Sequence, residues 1–454
     1  MKREKFSSRL GFILISAGCA IGLGNVYRFP IITASYGGAF FVIMYIVFLA
    51  LLGIPVMTAE LTVGRRSQRS IASSFDVLEK PGQKWHFMKY LGIAGNYLLM
   101  MFYCTISAWM AIYFFKYLSG SIIDVPADKL GDVFGNVVAN PTLMLGITVA
   151  VVVICFFVCS LGLQNGVEKI TKVMMILLFI LMIGLVIYSL TLDRALDGLK
   201  FYLIPSLDRV REAGVGTAIT AAMGQAFFTL SVGIGSIAIF GSYIERDRSL
   251  LGEAFTIVGL DTSIALMSGL IIFPAAFTYN NGVTADAGSV GASFLMTTLA
   301  GIFNDMAAGR IVGTLFFLFM IFASFSTVIA VFENIMSFWL ELTKLKRWQI
   351  ALINIFLMSV LCAPAALGFN VLSGIHIGDK VIMDIEDFIV SNLLLPFGSL
   401  IYVLFCTTRY GFGWENTLEE ANCGKGPRVP RWIRPYVTYI LPTIIAVLIV
   451  VSLL

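Results

Sequence analysis

Charge is what this chain has least of. Only 13% of its 454 residues are Asp, Glu, Lys or Arg, whereas 58% are hydrophobic. A soluble domain carries about 25% charged residues. With a mean hydropathy of +0.91, that scarcity excludes an ordinary soluble fold and indicates an integral membrane protein. Histidine is nearly missing: His86 and His376 fall in separate loops on opposite sides, and neither sits in a metal or nucleophile motif. A membrane enzyme is disfavoured on that ground. Cys19, Cys104, Cys155, Cys159, Cys362 and Cys406 fall in apolar runs and Cys423 in a loop, which is no disulfide framework. Cys155 and Cys159 share a helix face, but with no histidine near them they read as packing residues. Period-2 alternation is absent too, which argues against an outer-membrane barrel.

What is present is a series of apolar runs, each long enough to cross about 30 Å of hydrocarbon. Eleven spans are expected, near 10–36, 38–63, 88–119, 142–160, 170–191, 217–243, 251–279, 309–340, 348–367, 381–407 and 435–454. With the N-terminus inside, the cytoplasmic segments hold roughly three times as many Lys and Arg as the outer ones. The odd span number then places the C-terminus outside. The start "MKREKFSSRL" followed by an apolar run mimics a signal peptide. Asn25 and Arg28 interrupt that run and no small-residue cleavage site follows, so it reads as a retained first span. The segment 279–308 is long, rich in small residues and expected outside, a length that usually serves function, often as a lid.

Two spans carry glycine-rich interruptions at mid-membrane depth: "GCAIGLGN" at 18–25 and "TLSVGIGS" at 229–236. They lie five spans apart, so a repeat of spans 1–5 as 6–10 has inverted topology. Paired interruptions at matching positions point to a transporter binding site. Glycines that serve only close helix packing usually leave the helix intact and need no Asn25 or Arg28 after them. An unwound helix frees backbone N–H and C=O groups, and each costs several kcal/mol in lipid unless something polar meets it. A half-helix N-terminus suits a carboxylate, and opposing carbonyls suit a cation or ammonium. A zwitterionic amino acid with sodium beside it satisfies both. Thr229 and Ser231 lie at the second break. Asp261, in "FTIVGLDTSIALMSG", is an intramembrane acid and functional by default. Ser326 and Thr327 stand together in "ASFSTVIA", although membrane hydroxyls often only bond back to their own helix.

"RLGFILISAGCAIGLGNVYRFP" together with "GQAFFTLSVGIGS" resembles the neurotransmitter:sodium symporter family, especially its short bacterial amino-acid transporters with eleven spans. The resemblance covers nearly the whole chain. It implies an all-α integral membrane protein with a 5+5 inverted repeat, about 9–191 and 217–407, an extra span at 435–454, and spans 1 and 6 unwound at mid-membrane. It also implies two sodium sites. One comprises the Ala20 carbonyl, Asn25, Thr229, Asp261 and the substrate carboxylate; the other, the carbonyls of Gly18, Ile21 and Ala323 with the hydroxyls of Ser326 and Thr327. The substrate carboxylate would meet the amides of Leu23 and Gly24 and the Tyr103 hydroxyl. Its ammonium would meet the carbonyls of Ala20, Phe228 and Thr229 and the Ser231 hydroxyl. Leu99, Phe228, Ile234, Thr327 and Val331 would line the side-chain pocket.

The same resemblance implies an outer gate of Arg28 with Asp387, with Gln225, Tyr103 and Phe228 beside it. It implies an inner gate of Arg3 with Glu341, where the family usually has Asp, and with Phe6 packing the N-terminal tail. Chloride-dependent members have Asn at the Asp261 position and Ser where Ala265 stands, so transport is expected to be independent of chloride. The expected substrate is a hydrophobic L-amino acid, aliphatic or aromatic, imported with sodium across a bacterial plasma membrane. No nucleic-acid partner is expected, and the oligomeric state stays open. A transporter-like sensor and, further off, an ion channel are the alternative readings.

Overall fold

The structure, a computed structural model, describes residues 6–279, 295–306, 308–378 and 380–453. Among them, nine helices are long and apolar enough to cross a membrane, and up to 11 spans result if bent pairs are joined. The nine are Ala39–Ser67, Trp85–Ser119, Pro141–Ser160, Leu163–Leu190, Leu250–Tyr279, Gly309–Leu342, Arg347–Leu367, Ile382–Thr407 and Arg431–Leu453, numbered here as spans 2–5 and 7–11. In the first span, Arg9–Ala20 and Gly24–Ser35 meet at 58° across a gap of Ile21, Gly22 and Leu23. The second sharp bend, 90° between Leu207–Ala213 and Val215–Leu230, lies at Gly214 and joins a surface helix to the sixth span. That span is interrupted farther on, between Val215–Leu230 and Ser236–Gly241. Both interruptions fall inside the glycine-rich stretches read from the sequence.

Hydrocarbon offers backbone groups no partner, so each segment closes its own helical ladder wherever it can. The second break escapes because its residues reject the helix. Gly233 and Gly235 sit at φ 101 and 81, and Ser231 is left-handed at φ 50, a position that costs a side-chain-bearing residue of order 1–3 kcal/mol. A Cβ on Gly233 would lie 2.2 Å from the Leu395 carbonyl oxygen, so span 10 can press directly on the break. Spans 3 and 8 are the most enclosed, 72% buried, whereas spans 5 and 11 are only 28% buried. Of the two broken spans, Arg9–Ala20 packs against spans 7 and 8, and the sixth packs mainly against span 2. The β structure among the described residues is a two-stranded antiparallel pair, His376 opposite Val381, and an isolated parallel bridge between Arg248 and Lys425. Of the long 279–308 segment, residues 280–294 lie outside the described residues.

Candidate functional site

The first break is held open by side chains from elsewhere. The Gly22 N–H donates to Asn25 Oδ1 at 3.1 Å, and the Leu23 N–H donates to the Tyr103 hydroxyl at 2.9 Å. Gln225 Nε2 donates to the Gly24 carbonyl at 3.0 Å, and Ser231 Oγ reaches the Cys19 carbonyl at 3.4 Å. Asn25 lies in a π turn, Gly24–Arg28, a wide-pitch geometry that gathers at functional sites. A Cβ on Gly22 would stand 2.3 Å from the Tyr103 hydroxyl and 2.7 Å from Thr327 Oγ1. Only glycine lets these groups close on the backbone there.

The second break depends on a residue that the sequence reading passed over. Glu60, fully buried in span 2, accepts the Gly233 N–H at 2.8 Å, Ile237 N–H at 3.0 Å and Ala238 N–H at 3.2 Å. A carboxylate at the N-terminus of Ser236–Gly241 meets both its free amides and the positive end of its dipole. Asn96, also missed, gives its Nδ2 to the Ile234 carbonyl at 2.8 Å and takes bonds from Ser236 and Asn334. The cue for Glu60 was present: an acid inside "IPVMTAELTV" is as costly in a membrane helix as Asp261.

Two oxygen-rich corners flank the first break. At one, Asp261 is fully buried, with Asn25 Nδ2 donating to its Oδ1 at 2.7 Å and Thr229 Oγ1 to its Oδ2 at 3.1 Å. These are neutral donors; no cation pairs with Asp261 among the described residues. At the other, Thr327 Oγ1 lies 3.1 Å from the Gly18 carbonyl oxygen, 3.2 Å from Ile21's and 3.3 Å from Ala323's. Ser326 Oγ is 2.9 Å from the same Ala323 oxygen. A hydroxyl has one proton to give, so three carbonyls converging on Thr327 leave lone pairs facing lone pairs. Such a corner has a surplus of negative potential and suits a cation.

Between the corners is a cavity of about 10 Å³, roughly the room for one water molecule. Ala20, Gly22, Gly24, Leu99, Tyr103, Phe228, Thr229, Ser231, Thr327 and Leu395 line it; the family resemblance names all of these but Gly22 and Leu395. Leu23, Ile234 and Val331 do not face it and are buried. The Ile234 side chain instead fills the notch over Gly95, where a Cβ would be 2.6 Å from its Cγ2.

Outside this cavity, the Arg28 guanidinium lies over the Phe228 ring at 4.2 Å and 3.8 Å from Asp387. Ser391, not foreseen, ties the pair by donating to Asp387 at 2.7 Å and accepting from Arg28 at 3.5 Å. Beyond them opens a vestibule of about 290 Å³ lined by Arg28, Gln225 and Asp387 among others. On the opposite side, Phe6 packs on Phe12, Phe240 and Tyr243 at centroid distances of 5.8, 6.4 and 5.6 Å. Arg3 lies outside the described residues. Its expected partner Glu341 accepts the Ser70 N–H at 2.7 Å and the Ser73 hydroxyl at 2.6 Å, holding the turn after span 2.

A family model described as the sodium:neurotransmitter symporter family matches residues 3–124 and 134–454. The chain is 32% identical to YhdH, an uncharacterized sodium-dependent transporter of Bacillus subtilis, over 89% of this chain and 87% of that one. It is 25% identical to the sodium-dependent neutral amino acid transporter B(0)AT2 of Mus musculus over 60% of this chain and 40% of the other. It superposes on the crystal structure of MhsT in complex with L-phenylalanine with a TM-score of 0.86 and 34% identity, covering 100% of both chains.

Proposed function

The chain belongs to the sodium:neurotransmitter symporter family and is a multi-pass, sodium-dependent transporter, and from that premise we propose that it imports a hydrophobic L-amino acid coupled to two sodium ions by alternating access. The observation that carries the reading is the pair of oxygen-rich corners on either side of a glycine-lined cavity at the first break. The Asp261 corner, with Asn25, Thr229 and the Ala20 carbonyl, takes one sodium, whose remaining ligand is the substrate carboxylate. Each then strengthens the other's binding by the same factor. The Thr327 corner, with Ser326 and the carbonyls of Gly18, Ile21 and Ala323, takes the second. It has no acid, so its ion leaves more readily into low sodium, and its loss unties span 1 from span 8.

The substrate carboxylate takes the Leu23 and Gly24 amides and the Tyr103 hydroxyl, and the ammonium takes the Ala20, Phe228 and Thr229 carbonyls with Ser231. The chain's acids at the site are Asp261 and Glu60, and both face backbone or neutral donors rather than the cavity. With no acid beside the ammonium, the substrate must bring its own carboxylate. MhsT was crystallised with L-phenylalanine, which agrees with an apolar side chain lying against Leu99 and Phe228. A cavity of one water's size then represents a collapsed site that widens when Phe228 and Arg28 swing outward. The carboxylate of Asp261 supplies the fixed negative charge that makes chloride unnecessary. The protein acts in a bacterial plasma membrane with its N-terminus inside, in two inverted repeats, 9–191 and 217–407. Uptake of labelled leucine, phenylalanine, tryptophan, alanine and glycine, with sodium or potassium outside, tests the reading. Sodium-dependent uptake that favours the large apolar substrates supports it; uptake that ignores sodium, or binding without flux, overturns it.

A further inference from the structure

The stretch that leads into and opens span 11 reads "GKGPRVPRWIRPYV", with Arg428, Arg431 and Arg434 three residues apart. Its backbone has a matching period. Pro427 and Pro430 favour an extended chain, and Pro430 sits at φ −78 and ψ 146, the polyproline region, whereas Pro435 at φ −59 and ψ −38 opens the helical turn Tyr436–Ile440. Arg431–Ile433 then form a 3-10 turn. Polyproline and 3-10 geometries both repeat every three residues, so the arginines share one face. Arg428 and Arg431 are exposed and have no ion-pair partner among the described residues, and Arg434 meets Glu415 only at 4.0 Å.

The strip is held in place. Asn422 takes the Val429 N–H at 2.6 Å and gives its Nδ2 to the Val429 carbonyl at 3.0 Å. Lys425 exchanges backbone bonds with Asp247 and Ser249, at 2.8 and 3.0 Å, so the strip is tied to the loop that follows the sixth span. The surrounding charge adds to it. Glu420 already accepts Arg65, Arg66 and Arg246, leaving positive charge in excess, and the exposed acids of the adjoining segments are Glu245, Asp247, Glu415 and Glu419. Trp432 is 78% exposed between two of the arginines, and Tyr439 and Ile440 are exposed where the apolar span begins.

We propose that Arg428, Arg431 and Arg434 form a binding surface for the phosphate of an anionic phospholipid headgroup, with Trp432 seated at the hydrocarbon boundary. The occupant follows from position: Arg431 and Arg434 lie in the first turn of the candidate span Arg431–Leu453 and Arg428 just precedes it, and the end of a span falls in the headgroup region, where an exposed indole prefers the interface. Basic clusters at that place attract anionic lipid by about a fivefold factor per charge.

The test is a titration of the purified full chain with phosphatidylglycerol or phosphatidylcholine, read by native mass spectrometry. The chain should retain phosphatidylglycerol and not phosphatidylcholine. The double variant Arg428→Gln/Arg431→Gln should weaken retention about 25-fold, from two such factors. Arg431→Lys keeps the charge and should stay within a few-fold of the parent, which separates loss of charge from loss of fold. Lys84→Gln/Lys344→Gln, at exposed sites of other loops, should leave retention unchanged. Unchanged affinity in the arginine double variant, equal loss in the lysine variant, or equal retention of both lipids each overturns the proposal.

Discussion

Replacing Asp261 with asparagine removes one charge and almost no volume from the corner assigned to the first sodium. In the present structure the carboxylate divides its oxygens between Asn25 and Thr229, at 2.7 and 3.1 Å. An amide offers one oxygen in place of two, so at least one of those donors loses its acceptor. The larger effect is electrostatic. Two unit charges 4 Å apart at an effective dielectric of 20 attract by about 4 kcal/mol. Part of that is offset because the buried carboxylate no longer has to be desolvated. The half-saturating sodium concentration should therefore rise by between about tenfold and a thousandfold, at 1.4 kcal/mol per decade. The assay is initial-rate uptake in proteoliposomes across a sodium series, in chloride and in gluconate. In Asp261→Asn/Ala265→Ser, chloride should restore part of the sodium affinity and gluconate should not. Tyr45, whose buried hydroxyl lies beside Asp261 and Thr229, is a donor available to such an anion. If Asp261→Asn leaves sodium dependence unchanged, Asp261 is not a ligand and the chloride reasoning fails with it.

Gly22→Ala places a methyl 2.3 Å from the Tyr103 hydroxyl, and substrate binding, read by equilibrium dialysis, should fall at least about a hundredfold while the helical circular dichroism is kept. Arg28→Ala uncovers Phe228 and removes a cation–π contact worth about 0.5–2 kcal/mol, so bound substrate should dissociate several-fold faster to the outer side in a dilution chase. Glu60→Gln keeps the shape but leaves amide hydrogens facing the N–H groups of the second break. The melting temperature in detergent should drop, reflecting a loss of about 1–3 kcal/mol; an unchanged melting curve would mean those amides are satisfied by other partners.

Both breaks were legible because glycine clusters stand out against oily runs, and because Asn25 and Arg28 have no cheap place in lipid. Asp261 was legible for the same reason. Glu60 carried an equal signal, but its partners come from the sixth span, and no spacing within span 2 announces them. Leu395 and Ser391 reach the site from span 10, far along the chain, and neither residue type is unusual in a membrane helix. Ile234 sits in the broken stretch, and its side chain turns into the notch over Gly95, a placement that spacing does not announce. Closure around a cavity of about 10 Å³ lies beyond sequence reading altogether, since one sequence populates several conformations and its spacing does not say which one is seen.

Accumulation in proteoliposomes tests the central claim most directly. With equal sodium on both sides and 100 mV negative inside, each coupled sodium contributes about 2.3 kcal/mol to a neutral amino acid. Two sodium ions should concentrate labelled phenylalanine roughly two-thousandfold and one only about fiftyfold. Accumulation near the higher value that collapses when choline replaces sodium agrees with two occupied corners. Accumulation that persists without sodium, or an inside concentration that never exceeds the bath, contradicts coupled transport through this site.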